Sequence, residues 1–244
     1  MANRVLRRCV VTSAVAAAGL LGPAFAGAQA SAAPNICVSV NGGSGTQHGT
    51  AECSSTGRGS VAIARGDNTS ATANGERNRA FATGSNSTAT AYDGSRNTVI
   101  ATNGSTAYTG GGNDNTAIAK NGSIATAQIG NNNTAKANNY STVLVQEGHN
   151  NTVTANNGSQ AYSQQGDDNT LSASNSSVAV LDDGDRNTVT ADHGSWAYAI
   201  ADDSTVIADN NSYADVSFQT NSTAIALDNC TASATASNQT VTCP

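Results

Sequence analysis

From about residue 59 onward the chain alternates small apolar and polar residues in short runs, each closed by a cluster of Asn, Asp, Gly and Ser. In "NTVTANNGS", Val153 and Ala155 face one way and Thr152 and Thr154 the other. In "SWAYAIA", Ala197 and Ala199 share one face, and Trp196, Tyr198 and Ile200 share the opposite one. A period of two marks a strand with one buried face. The runs themselves recur. Asn-Thr stands at Asn97, Asn115, Asn133, Asn151, Asn169 and Asn187, always 18 residues apart. The series Ala101 to Ala191 and Ser105 to Ser195 keep the same step, as do Gly112, Gly130, Gly148, Gly166 and Gly184. The stretch before this block repeats more loosely, and the stretch after Asp203 drifts out of register.

Two strands and two turns repeated at a fixed short period make one coil of a solenoid. The expected fold is therefore all-β, a two-sheeted parallel β-solenoid with 18-residue coils. Strands of neighbouring coils stack ~4.8 Å apart, so roughly nine coils make a rod of about 45 Å. Inward positions are Ala, Val, Leu and Ser, so the two sheets lie close together and each coil depends on its neighbours for stability. Asn tolerates left-handed turn conformations, and stacked Asn amides can bond from coil to coil. The column glycines suit turns with positive φ. The terminal coils would expose unpaired strand edges, a hazard for aggregation.

The ends differ from the repeats. Arg4, Arg7 and Arg8 precede the apolar run "CVVTSAVAAAGLL", and small-residue cleavage sites follow it. That is the plan of a secretory signal, and the run is too short for a membrane span. The expected division is a signal over 1–33, an N-terminal disulfide-tied cap over 34–58, repeats over 59–229 and a C-terminal disulfide-tied cap over 230–244. Without the signal, Cys37, Cys53, Cys230 and Cys243 remain, an even count that reads as two disulfides in an exported chain. Three pairings are open. Cys37–Cys53 with Cys230–Cys243 brackets each end of the repeats. No CxxC or Cys/His cluster suggests a metal instead.

Charge narrows the functional classes. Beyond residue 33 eight basic residues face 17 acidic ones, a net charge of −9. Such a surface argues against nucleic acid and anionic membranes and suits a secreted or cell-surface protein. Asn-x-Ser/Thr occurs often, but here the Asn belongs to the turn repeat. His48, His149 and His193 lack an acid or nucleophile constellation, so no enzymatic activity is expected. His149 and His193 fall at turn positions held elsewhere by Asn, Asp or Gly.

Three sets of residues are candidates for binding. The outward positions Ile124, Leu144, Tyr162, Val178, Val180, Trp196, Tyr198 and Ile200 should form one apolar column, and a patch of that size marks an interface. The partner would be a protein, a glycan or a second copy of the chain. Asp167, Asp185 and Asp203 are 18 residues apart and should stack, repelling one another unless a cation or Arg186 intervenes. Calcium is the cofactor that such a stack would take. Thr98, Thr116, Thr134, Thr152, Thr170 and Thr188 form a hydroxyl column that looks like an ice-binding face, interrupted nearby by Lys120, Lys136 and Asp192.

"GSVAIARGDNTSATANG", residues 59–75, resembles the head repeats of trimeric autotransporter adhesins. That resemblance implies a β-roll used in surface attachment. The 18-residue coil is longer than the adhesin coil, and no coiled-coil stalk or anchor follows. The export signal and paired cysteines also resemble those of small secreted actinobacterial proteins of unknown function. "GGNDNTAIA", residues 111–119, resembles a calcium-binding nonapeptide, with Asp114 in the place of a Gly and Thr116 in the place of the Asp. The expected function is a non-enzymatic interaction or adhesion protein. The alternative is a scaffold that binds calcium or ice along its Asp or Thr columns.

Overall fold

A computed structural model describes residues 35–244 apart from residue 44. The segment read as an export signal lies outside the described residues. The chain is an all-β solenoid of two stacked parallel sheets, here called sheet A, with 13 strands, and sheet B, with 11. From Glu52 onward successive strands fall alternately in the two sheets, so each coil contributes one strand to each. Thr98–Thr102, Thr116–Lys120, Thr134–Asn138 and Thr152–Asn156 lie side by side in sheet A, with Thr98, Thr116, Thr134 and Thr152 in register. Thr106–Gly110, Ile124–Gln128 and Thr142–Val145 do the same in sheet B.

Register survives changes in coil length. Arg79 pairs with Thr98, a step of 19, whereas Thr188 pairs with Thr205 and Thr223 with Thr240, steps of 17. The apparent drift after Asp203 is therefore a shortened turn. A strand cannot slip by one residue without exposing its core face, so the turn absorbs the change. Sheet B holds 11 coil strands, two more coils than the repeat count suggests. The additions come from segments expected to be caps. Glu52–Ser55 opens sheet B, and Thr231–Ser233 and Thr240–Cys243 extend both sheets as a last coil.

The ends are therefore unlike. At the N-terminal end Ile36–Val40 runs antiparallel to Val61–Arg65 and also pairs with Thr46–His48, laying a hairpin over the edge of sheet A. Cys37 and Cys53, with Cα atoms 5.5 Å apart, tie that hairpin to sheet B. Cys230 and Cys243, at 6.0 Å, link the corner before the last sheet B strand to the last sheet A strand. Both pairs lie in disulfide range. Among the described residues no helix is long and apolar enough to cross a membrane.

The core is thin because its side chains are small. Ala62, Ala80, Ala101, Ala119 and Ala137 are fully buried in sheet A, and Leu171 and Leu181 are the largest side chains inside. Val153, Ala155, Ala197 and Ala199 are buried, and Thr152, Thr154, Trp196, Tyr198 and Ile200 point outward. At the corners polar ladders close the core. The Asn97, Asn115, Asn133 and Asn151 side chains are completely buried, and each Oδ1 accepts the backbone N–H of the next coil at 2.9–3.0 Å. These asparagines do not supply the left-handed turn residue. That conformation belongs to the preceding position, at Arg96, Asp114, Asn132, Asn150, Asp168 and Arg186.

Candidate interaction surface

The eight outward apolar residues lie on sheet B, but not in one column. Ile124, Thr142, Gln160, Val178, Trp196 and Tyr213 form one rank across the strands. Tyr108, Thr126, Leu144 and Tyr162 form a second, which Val180 and Tyr198 continue. Ile200 falls in a third. A five-residue strand has two or three outward positions on one face, so one apolar set spreads over three ranks. Polar residues dilute the N-terminal half. The large side chains concentrate in the C-terminal coils, where Trp196 is 49% exposed and Tyr213 40%.

Tyr213 escaped the 18-residue count because its coil is one residue short; Tyr108 fits that count and belongs to the second rank. Carboxylates border this aromatic patch. Burial raises the ionisation of the Tyr198 phenol above its usual range, and the charges of Asp182 and Asp215 add to the effect. Tyr213 is raised in the same way, by burial first and Asp215 second. Both phenols are thus neutral hydrogen-bonding groups in a negative surround. Beside them a depression of about 440 Å³ is lined by Ile200, Phe218, Asp183, Asp202 and Thr220, with Phe218 projecting into solvent.

The acidic stack is arranged differently from the expectation. Asp167 and Asp185 stack, but the short coil brings Asp202, not Asp203, beneath them. Asp185 Oδ1 accepts the Asp167 N–H at 2.7 Å, and Asp202 Oδ1 accepts the Asp185 N–H at 2.9 Å. Asp203 moves to the neighbouring rank and binds the Arg186 guanidinium through two bonds of 2.6 and 2.8 Å. That pairing holds the Asp203 carboxyl below the usual range. Backbone amides thus contact the stacked carboxylates, and Arg186, one of the two counter-charges expected there, pairs with Asp203. The same ladder continues upward through His149, whose Nδ1 accepts the Asn131 N–H at 2.9 Å. In the nonapeptide-like stretch Asp114 is likewise engaged, by Arg96 at 2.6 and 2.7 Å. Among the described residues the carboxylate and imidazole group that does converge is Asp192, His193 and Asp209, at the opposite corner.

The threonine column runs further than its repeat signal. Thr98, Thr116, Thr134, Thr152, Thr170 and Thr188 continue through Thr205, Thr223 and Thr240. This nine-residue rank lies on the outer face of sheet A. Beside it run Ile100, Ile118, Lys136, Thr154, Ser172 and Thr190. No protein family, curated protein or solved structure matches the chain.

Proposed function

We propose that the protein is a non-enzymatic extracellular interaction and adhesion scaffold whose contact surface is the outer face of sheet B. The carrying observation is the gathering of Tyr162, Trp196, Tyr198 and Tyr213 within four consecutive coils on the outer face of one sheet. Flat aromatic rings bury large area at small entropic cost. With Asp182, Asp215 and Gln160 around them, they suit the alternating apolar faces and hydroxyl edges of a neutral glycan. The cysteine pairs within disulfide reach support an oxidising, extracellular setting. The likeness of residues 59–75 to adhesin head repeats points the same way.

Trp196→Ser/Tyr198→Ser protein tests this reading against wild type. Both are measured for mass by light scattering and for retardation in native gels containing a soluble neutral β-glucan. Lost self-association or lost retardation, with unchanged circular dichroism, supports the sheet B face. Identical behaviour of the two proteins in both assays overturns it.

A second reading attaches to sheet A. Its nine-residue threonine rank offers hydroxyls and methyls at strand spacing, ~4.8 Å apart, with Lys136 in the neighbouring rank of the same face. Such a face orders water and binds ice. Inhibition of ice recrystallisation that disappears in Thr152→Tyr protein supports it. No inhibition by wild-type protein at micromolar concentration removes it.

A further inference from the structure

On its N-terminal side the threonine rank gives way to Arg79 and then Val61, so the residue next to the threonines is a cation. Arg79 pairs in register with Thr98 and occupies the position that threonine holds in the next nine coils. The left-handed corner rank departs in the same coils. Arg77 and Arg96 stand where Asn132 and Asn150 stand later, all with φ between 54 and 59°. Two coils and two ranks thus bring Arg77, Arg79, Arg96 and Thr98 around a shallow cleft of about 280 Å³ with no carboxylate in its lining.

This concentration runs against the composition. Beyond residue 33 the chain carries eight basic residues against 17 acidic ones, yet three of the eight line one cleft. Guanidinium groups this close repel unless an anion sits between them. Arg96 is partly committed. Its Nε and one terminal nitrogen donate to Asp114 at 2.7 and 2.6 Å, which fixes the plane of the group. An arginine has five N–H donors, so three remain on Arg96. Among the described residues neither Arg77 nor Arg79 forms an ion pair. All three arginines are exposed, and Thr98 adds a hydroxyl-bearing side chain to the lining.

We propose that this cleft is an anion-binding site that takes a tetrahedral oxyanion ester, a sulfate or phosphate group carried on a polymer. Forked guanidinium donors match the oxygen spacing of such groups and bind them by paired hydrogen bonds. The site lies on sheet A and is independent of the aromatic face of sheet B.

The test uses the whole chain beyond residue 33 and three probes: dextran sulfate, inorganic polyphosphate and unsubstituted dextran. The variant Arg77→Asn/Arg79→Thr restores the residues that the repeats carry at these ranks, so it should fold as wild type does. The variant Arg65→Gln/Lys120→Gln removes the same charge from outside the cleft. We expect wild type to bind dextran sulfate, polyphosphate or both, and not dextran, with affinity falling as salt rises. Binding to one charged polymer alone identifies its ester as the source. Arg77→Asn/Arg79→Thr should weaken binding roughly tenfold or more, and the control variant about twofold or less. Absence of binding to both charged polymers at low salt overturns the site. So does an equal loss in the control variant, which would mean that net charge alone attracts the polymer.

Discussion

Every coil turns twice, and the two turns close the same core with different residues. At one corner the buried Asn133 makes two bonds between coils. Its Oδ1 accepts the Asn151 N–H at 3.0 Å and its Nδ2 donates to the Gly148 carbonyl at 2.8 Å. At the other corner the buried Ser141 hydroxyl accepts one bond from the Ser159 N–H, at 3.2 Å. Outside it the exposed Asn139 amide donates to Asn157 at 2.9 Å. Asparagine thus appears on both corners with equally good geometry. Burial separates them. Water replaces a lost partner at Asn139 and cannot do so at Asn133, where a stranded N–H or carbonyl bears its full desolvation cost. The lesson is that one visible ladder of asparagines fixes the stack and the other decorates it.

The largest effect should follow from breaking the buried rung. Asn133→Ala leaves the Asn151 N–H without its acceptor and the Gly148 carbonyl without its side-chain donor. We expect a loss of about 3–5 kcal/mol in urea unfolding. A loss below about 1 kcal/mol would erase the distinction between the corners. Next comes the glycine that this corner requires. Gly130 has φ 115°, and a Cβ there would lie 1.9 Å from the Gly148 carbonyl oxygen. Gly130→Ala must therefore spread two coils, and the expected cost is about 2–4 kcal/mol by the same measurement.

Much of this was legible in the sequence, and the gaps have physical causes. The period of two located the inward Val153 and Ala155, and the 18-residue step located the coils. Both signals arise from packing, which tolerates few residue types. Corner residues answer to weaker constraints. The sequence shows an Asn column at 97–187, but not that the residue before it carries the positive φ, because Arg, Asp and Asn all serve there. Fixed-step counting also failed where a turn lost one residue. It placed Asp203 under Asp185, missed Tyr213, and ended the threonine rank at Thr188. Arg77 and Arg79 broke the pattern rather than following it, so a search for repeats passed over them.

A smaller pair of effects sharpens the comparison within one corner. Ser141→Ala removes the acceptor for the buried Ser159 N–H, and we expect a loss of about 1–2 kcal/mol. Asn139→Ala, two residues away, should cost about 0.5 kcal/mol or less, because its rung is exposed to solvent. Hydrogen exchange at the Ser159 amide separates the two locally. It should accelerate in the serine variant and stay slow in the asparagine variant. Equal acceleration in both would mean that the outer amide ladder shields the inner one.

The smallest effect concerns the exposed ladder where its chemistry changes. His193 takes the position that Asn121, Asn139, Asn157 and Asn175 hold in earlier coils, with φ 48°. Its Nδ1 lies 2.9 Å from an Asp209 carboxylate oxygen and 3.4 Å from Asp192. The hydrogen bond to Asp209 and the charge of Asp192 raise its pKa above the ordinary 6.5. A group that binds its proton more tightly when folded stabilises the fold in its protonated form. The contribution is complete below pH 6.5 and disappears as pH rises through the folded value. His193→Asn restores the residue of the neighbouring rungs and removes the titration. The melting temperature of wild type relative to this variant should therefore be higher at about pH 5.5 than at about pH 8.5. The same difference at both pH values would show that the imidazole rung behaves like the asparagines above it, held by backbone shape and not by charge.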